Sequence, residues 1–80
     1  MVNRLWDSKR QVVYGLLKEI RSKAGITQVE LSEVLNKPQS YVSKYETGER
    51  KLDLVEVADI CDALEFSLQL FCKKYTERSK

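Results

Sequence analysis

Apolar side chains recur three and four residues apart along most of the chain, which is the spacing of one face of an α-helix. The longest stretch predicts a first helix over about 9–24. Gly25 follows it, and glycine ends helices readily because it adopts the left-handed conformation without steric cost. Four shorter segments come after it, so the pattern predicts an all-α fold of five helices. The apolar face of the first helix is formed by Val13, Leu16, Leu17 and Ile20.

Three helix starts carry the signature of a capping box, a short polar residue followed three positions later by Glu or Gln. In this motif each side chain accepts a hydrogen bond from a backbone N–H group that has no partner within the helix. The motif predicts helices over about 9–24, 28–35 and 54–64. The three pairs are Ser8 with Gln11, Thr27 with Glu30, and Asp53 with Glu56.

The second and fourth predicted helices each have one apolar face directed at the core. A fifth helix is predicted to begin after Ser67. Residues 76–80 are expected to be frayed, because chain ends are poorly ordered unless they are tied down. The predicted buried residues are Leu31, Val34 and Leu35 in the second helix, and Leu54, Val57, Cys61 and Leu64 in the fourth.

A third, very short helix is predicted over about 39–47, with Pro38 at its start and Gly48 at its end. Proline is tolerated there because its missing N–H group has no helical partner in any case. Three residues, 36–38, separate this helix from the second one, and two short helices joined by so tight a turn are typical of a helix-turn-helix. We predict a single compact domain over 1–80, with its core in 9–72.

Charge and composition narrow the classes of function. The net charge is only +2, but residues 1–51 carry ten Lys and Arg against six Asp and Glu. This part of the chain is therefore better suited to face a polyanion. No apolar run is long enough to cross a bilayer, and the start does not resemble a secretory signal, so we expect a cytoplasmic protein.

Few residues could support catalysis or metal binding. Histidine is absent, and Cys61 and Cys72 both lie in apolar helical patterns. Two such residues are too few for a usual zinc site. We expect both cysteines to be free, with a disulfide as the less favoured alternative. Because there is also no catalytic set and no Gly-rich phosphate loop, we expect no metal, no cofactor and no enzymatic activity.

The third helix has an unusual polar face. On a helical wheel Val42 and Tyr45 define its inner side, and the opposite arc is polar without any acidic residue. Solvent-facing helices usually mix Glu and Asp into such an arc, whereas a helix that enters the major groove of DNA must avoid carboxylates because the phosphates repel them. The arc consists of Gln39, Ser40, Ser43, Lys44 and Thr47.

The segment around this face resembles a known family. The chain reads ITQVELS at 26–32, LN at 35–36 and QSYVSKYETG at 39–48. This pattern is similar to the helix-turn-helix of the phage repressor/Cro family, also called the Xre family, and the similarity extends from about residue 16 to 71. Two positions differ from the family: Asn36 stands where glycine is usual, and Pro38 replaces the usual polar N-cap of the third helix.

The resemblance implies a five-helix domain that docks its third helix in the major groove of double-stranded DNA. Recognition helices read bases with their N-terminal residues, and the resemblance implies two further base-reading residues one helical turn on. A glutamine can pair with an adenine edge, and a lysine can reach a guanine or a phosphate. The base-reading residues implied in this way are Gln39, Ser40, Ser43 and Lys44.

The resemblance also implies residues beside the base readers that contact phosphates. Gln28, at the start of the second helix, is implied to contact a phosphate and to brace Gln39. Arg50 and Lys51 follow the third helix, and their position beside it favours a phosphate clamp over the alternative of a solvated basic loop.

Four more residues have an implied or open role. Lys37 is equally well explained as a phosphate ligand or as a solvated charge. Tyr41 is explained either by a hydroxyl contact to the DNA backbone or by packing. The resemblance further implies a structural ion pair between Arg21 and Glu46.

Two functions from different classes fit these features. The first is a transcriptional regulator, a repressor or controller protein that binds a palindromic operator as a homodimer, because one short helix makes few base contacts. Its dimer surface is predicted on helix 5 and the C-terminal segment, from Leu70, Phe71 and Tyr75. The alternative is an antitoxin or adaptor module whose main role is to bind a partner protein such as a toxin.

Overall fold

Five α-helices follow one another along the chain in a computed structural model, which describes residues 2–80 and the side chains from Ser8 onward. The described residues contain no strand, and this confirms the predicted all-α fold. Within the same residues no helix combines the length and apolar character needed to span a membrane. The helices are α1 (Val2–Lys23), α2 (Gln28–Val34), α3 (Tyr41–Glu46), α4 (Leu54–Ala63) and α5 (Leu68–Arg78).

Two of the three predicted capping boxes are present. At the start of α2, the Thr27 hydroxyl accepts the Glu30 N–H at 3.0 Å, and the Glu30 carboxylate accepts the Thr27 N–H at 2.9 Å. Asp53 and Glu56 exchange the same two hydrogen bonds at the start of α4, at 2.8 and 3.0 Å. Both helices therefore begin where the sequence predicts.

The prediction for the start of α1 is wrong. The helix begins at Val2 and not near residue 9, so Ser8 and Gln11 lie inside it and form no capping box. Residues 2–8 contain no glycine or proline. A helix continues through a cap signal where the preceding residues tolerate the helical conformation. The result is a first helix of 22 residues.

The end of α5 also differs from the prediction of a frayed segment, because residues 76–78 are helical. Arg78 donates hydrogen bonds of 2.8 and 2.9 Å to the Glu19 carboxylate of α1. Lys23 donates a third, at 3.2 Å. Arg78 first and Lys23 second lower the pKa of Glu19 to about 2. The Arg78–Glu19 ion pair fastens the last turn of α5 to α1, whereas the Lys23–Glu19 pair lies within α1.

The turn between α2 and α3 is longer than predicted, since it extends over residues 35–40 and α3 begins at Tyr41. Asn36 takes the left-handed conformation, with φ of 56°, which asparagine tolerates better than most residues. The fully buried Ser32 hydroxyl donates to the Gln39 carbonyl and accepts the Val42 N–H, each at 3.4 Å. Ser32 thus holds both the end of the turn and the first residues of α3.

One apolar core joins the helices, and α1 lies at its centre, in contact with α3 and α5. Two predicted core residues are wrongly assigned: Val34 is 65% exposed and Leu54 is 69% exposed. Each is the terminal residue of its helix, so its side chain lies beyond the surface that the helix buries. The core includes Leu16, Leu17, Ile20, Leu31, Val42, Tyr45, Val57, Ile60, Cys61, Leu64 and Phe71.

The predicted dimer surface on α5 needs a correction. Phe71 is only 4% exposed and belongs to the core, and Tyr75 is half-buried against that core. Leu70, at 43% exposure, is the member of the predicted set that faces outward. The apolar spacing of α5 therefore serves mainly to pack the helix on its own chain. Cys72, also on α5, is exposed as a free thiol.

Candidate DNA-binding surface

The inner side of α3 is packed into the core through aromatic rings. Val42 and Tyr45 are fully buried, and Tyr41 is nearly so. The two tyrosine rings meet edge to face, with centroids 5.7 Å apart and planes inclined by 76°. Aromatic pairs favour this arrangement because the positive edge of one ring meets the negative face of the other. This packing fixes how α3 is rotated about its own axis.

A buried ion pair fixes the C-terminal end of α3. Arg21 donates from Nε to Glu46 Oε2 at 2.7 Å and from Nη2 to Oε1 at 3.1 Å. Its Nη1 donates to the Ile26 carbonyl at 2.8 Å. The hydrogen bonds to Glu46 raise the pKa of Arg21 above its usual value. Arg21 and Glu46 are the ion pair that the family resemblance implies. Their contacts connect α1 with α3 and with the turn that precedes α2.

Gln28 joins the same network. Its amide Nε2 donates to Glu46 Oε1 at 2.8 Å, so the side chain braces Glu46 and not Gln39. The carboxylate of Glu46 therefore accepts from both Arg21 and Gln28. The family resemblance implies a bracing role for Gln28 but with Gln39 as the partner, whereas the observed partner, Glu46, lies 18 positions away.

The outer side of α3 is solvent-exposed and polar. Gln39, Ser40 and Lys44 are exposed, and Ser43 is half-exposed. Gln39 and Ser40 belong to the turn that leads into the helix and not to the helix itself, which corrects their predicted placement. The Ser43 hydroxyl donates to the Ser40 carbonyl at 3.2 Å. Two of the four predicted base-reading residues thus lie in the turn before α3, and the other two lie within α3.

A cationic groove lies beside these residues. It encloses about 340 Å³. The Lys37 ammonium lies 5.5 Å above the centroid of the Tyr41 ring, and the Arg50 guanidinium lies 4.9 Å from that centroid. Cations within about 6 Å of a ring face are attracted by its quadrupole. The groove is lined by Lys37, Pro38, Ser40, Tyr41, Lys44 and Arg50.

Arg50 and Tyr41 share a partner that sequence reasoning missed. Glu56 Oε2 lies 2.8 Å from Arg50 Nη1 and accepts the Tyr41 hydroxyl at 3.2 Å. Burial raises the pKa of Tyr41 to about 12. The Asp53 backbone N–H first, and then Arg50 and Tyr41, lower the pKa of Glu56. The sequence predicts only the capping role of Glu56. Nothing in the sequence indicates that its second carboxylate oxygen contacts Arg50 and Tyr41.

These contacts affect the predicted phosphate ligands differently. The Tyr41 hydroxyl is directed at Glu56, which favours the packing role over a contact with the DNA backbone. Arg50 is held in place by Glu56 and by the Lys51 carbonyl, to which it donates at 3.0 Å. Lys37 and Lys51 are exposed. Among the described residues, no group of three or more Cys, Asp or Glu side chains is placed to hold a metal ion.

Comparisons with known proteins agree with this geometry. The helix-turn-helix family matches residues 17–71. An XRE-family like protein from Pseudomonas syringae is 37% identical in sequence, with a TM-score of 0.90 over 99% of this chain and 96% of its own. The clp gene regulator ClgR from C. glutamicum has the same fold, with 24% identity and a TM-score of 0.78 over 90% of this chain and 92% of its own. No curated protein sequence matches the chain.

The family match covers more than half of the chain and includes α2, the turn and α3, the elements that carry the exposed polar residues. It confirms the predicted fold and the prediction of a DNA-binding protein without enzymatic activity. The chain belongs to the XRE family of helix-turn-helix DNA-binding proteins.

Proposed function

We propose that this protein is a transcriptional regulator that binds a palindromic operator as a homodimer. The observation that carries the proposal is the exposed face around α3, which holds Gln39, Ser40, Ser43 and Lys44 and no carboxylate among the described residues of that face. The one acidic residue of α3, Glu46, is turned inward and neutralised by Arg21. A face of this kind approaches the phosphates and base edges of DNA without charge repulsion.

The proposed readout divides the work between two groups of residues. Gln39 pairs with the edge of an adenine, and the two serines permit close approach to the bases. Lys37 and Arg50 line the cationic groove beside them and bind a phosphate. Lys44 lies between the two groups and reaches either a guanine or that phosphate.

A homodimer follows from the size of the reading surface. One short helix contacts few base pairs, and proteins of this type gain specificity by placing two copies on half-sites about 34 Å apart. We keep α5 as the proposed interface, now centred on Leu70, because it is the exposed residue of the predicted set. We keep the cytoplasm as the proposed compartment.

The test of DNA readout is selection from a random duplex library at near-physiological salt. We expect a palindromic motif with fixed half-site spacing. Binding without a recovered motif, and with an affinity that vanishes as salt rises, contradicts the proposal. That result favours the alternative of a module that binds a partner protein.

The test of the dimer compares two leucines of similar chemistry. Leu70→Glu places a charge in the proposed interface, and we expect a monomer by sedimentation and a loss of affinity for the full palindrome. Leu54→Glu is the matched control, since Leu54 is exposed at the start of α4. An unchanged dimer in Leu70→Glu, or a wild-type protein that is monomeric at high concentration, contradicts this part of the proposal.

A further inference from the structure

Arg50 is held in one position on the wall of the cationic groove beside α3. Its guanidinium lies 4.9 Å from the centroid of the Tyr41 ring, and that ring is buried in the core. Its Nη1 group lies 2.8 Å from Glu56 Oε2 and donates to the Lys51 carbonyl at 3.0 Å. An arginine side chain has many rotamers when it is free. Three contacts on one guanidinium therefore order a side chain that would otherwise be mobile.

These contacts use one part of the guanidinium and leave another part unused. The Glu56 carboxylate and the Lys51 carbonyl both meet Nη1. None of the hydrogen bonds among the described residues uses the Nε–H or Nη2–H groups of Arg50. These groups form a planar fork that matches two oxygens of one phosphate. Because Arg50 lines the groove, the fork is the part of the guanidinium that is left to bind a ligand there.

Glu56 is itself fixed by two other groups. Its Oε1 accepts the Asp53 backbone N–H at 3.0 Å, within the capping box of α4, and its Oε2 accepts the Tyr41 hydroxyl at 3.2 Å. The side chain is only 21% exposed. A carboxylate that is held by its own helix and by a core ring sets the position of the guanidinium and does not follow it. The first turn of α4 thus contributes to the groove beside α3.

We propose that Glu56 is a positioning residue for DNA binding, which holds Arg50 so that its Nε–Nη2 fork receives two oxygens of one backbone phosphate. This inference rests on the proposed function, because it takes Arg50 as a phosphate ligand. It adds the mode of that contact and an acidic residue that serves it. A side chain that is already ordered loses less conformational entropy when it binds. The fork holds the phosphate on the side away from Glu56, so repulsion between the two anions is the smaller effect.

The test is a double-mutant cycle of Glu56→Gln and Arg50→Ala, in which the affinity of the full chain for a mixed-sequence duplex is measured. Glutamine keeps an oxygen for the capping box, so the fold should be preserved, and urea denaturation checks this. With Arg50 present, we expect Glu56→Gln to weaken binding about 2- to 10-fold, the cost of ordering one long side chain. In the Arg50→Ala background it should not weaken binding.

Two outcomes of this cycle overturn the proposal. The first is an equal change of affinity in both backgrounds, which would show that Glu56 acts without Arg50. The second is tighter binding by Glu56→Gln when Arg50 is present, which would show that the carboxylate competes with the phosphate for the guanidinium.

Glu30→Gln is the matched control. Glu30 takes the same position in the capping box of α2 that Glu56 takes in α4. It is exposed and forms no ion pair with any described residue. The substitution removes the same charge from the same motif, and we expect no loss of affinity in either background.

A further variant tests the fork itself. Arg50→Lys keeps the positive charge but replaces the planar fork with a single ammonium group. We expect the slope of log affinity against log salt concentration to stay at the wild-type value while affinity falls about 2- to 10-fold, the net contribution of one hydrogen bond. Wild-type affinity in Arg50→Lys overturns the two-oxygen contact.

The inference and the proposed function can fail separately. If selection yields no motif but Glu56 and Arg50 are coupled on a mixed-sequence duplex, the positioning role stands and the operator proposal fails. If selection yields a palindrome and the coupling is absent, the operator proposal stands and the positioning role is overturned.

Discussion

The two sides of α3 differ in how fully their polar groups are used. On the inner side Glu46 accepts hydrogen bonds from Arg21 and Gln28, and its side chain is only 2% exposed. On the outer side Gln39 and Lys44 are exposed to solvent. The inner side fixes where α3 lies, and the outer side is left to bind. The comparison teaches that the residues that position α3 differ from the exposed polar residues of α3 and of the turn before it, so substitutions can separate positioning from the proposed recognition.

The largest effect is expected from a substitution that breaks the Arg21–Glu46 ion pair on the inner side of α3. In Glu46→Ala the Arg21 guanidinium loses its carboxylate while its side chain stays only 10% exposed. An unpaired buried charge destabilises a protein by roughly 3–5 kcal/mol. We expect a loss of this order in the free energy of unfolding, measured by urea denaturation, together with weaker DNA binding. Glu49→Ala, a substitution of an exposed acid next to the same helix, should change stability little, and equal losses in both would refute this account of the ion pair.

On the outer side, Gln39→Ala tests base reading. We expect a loss of about 1–3 kcal/mol in binding to the best site and relaxed selection at one base position, because a bidentate contact with a base edge is removed. Thermal stability should remain unchanged, since Gln39 is exposed. Competition binding against a panel of single-base variants measures the effect. Gln69→Ala on α5 is the control. An equal loss of affinity for every member of the panel would contradict the base-reading role of Gln39.

A smaller effect is expected from Arg50→Ala, which removes a cation from the groove beside the readers. Binding should weaken to a similar degree for all sequences, and the salt slope should flatten by about 0.9. Selection of bases should be unchanged, in contrast to Gln39→Ala. Titrations at several salt concentrations, on the best site and on a mixed-sequence duplex, make the measurement. Arg50 is not a phosphate ligand if the slope equals that of the wild type.

The smallest effect concerns Glu19, whose carboxylate pairs with Arg78 and Lys23. Its pKa is lowered from 4.5 to about 2 by Arg78 and Lys23, so its stabilising contribution is complete above about pH 4.5 and disappears as the pH falls toward 2. We expect Glu19→Gln to lower Tm by roughly 1–3 °C at neutral pH. The difference from the wild type should shrink on acidification and at high salt, because the pairs are exposed. A difference independent of pH would show that the ion pairs do not cause it.

The sequence predicts those parts of the fold that depend on neighbouring residues. Thr27 and Glu30 mark the start of α2 correctly, because a capping box is a local hydrogen-bond exchange. The start of α3 depends instead on Ser32, whose hydroxyl contacts residues seven and ten positions away. Ser40 stands at the N-cap of α3 without a side-chain capping bond among the described residues, so no local signal marks the boundary.

The candidate site shows the same contrast between features that depend on neighbouring residues and features that depend on distant ones. Helical spacing correctly places Ser43 and Lys44 on the outer side of α3, but Gln39 and Ser40 lie in the turn before the helix, where that spacing does not apply. The partners that orient the residues of the site are distant: Gln28 meets Glu46, and Arg50 and Tyr41 meet Glu56. Such contacts depend on how helices pack, which spacing within one helix does not encode.

The length of α3 has a consequence for engineering. The helix contains six residues, and isolated helices shorter than about 12–15 residues are marginal in water. A synthetic peptide that copies residues 37–51 therefore lacks a defined shape, however faithful its sequence. A minimal reagent built from this chain must retain Ser32 and Arg21 with the segments that carry them, or replace them with a covalent staple.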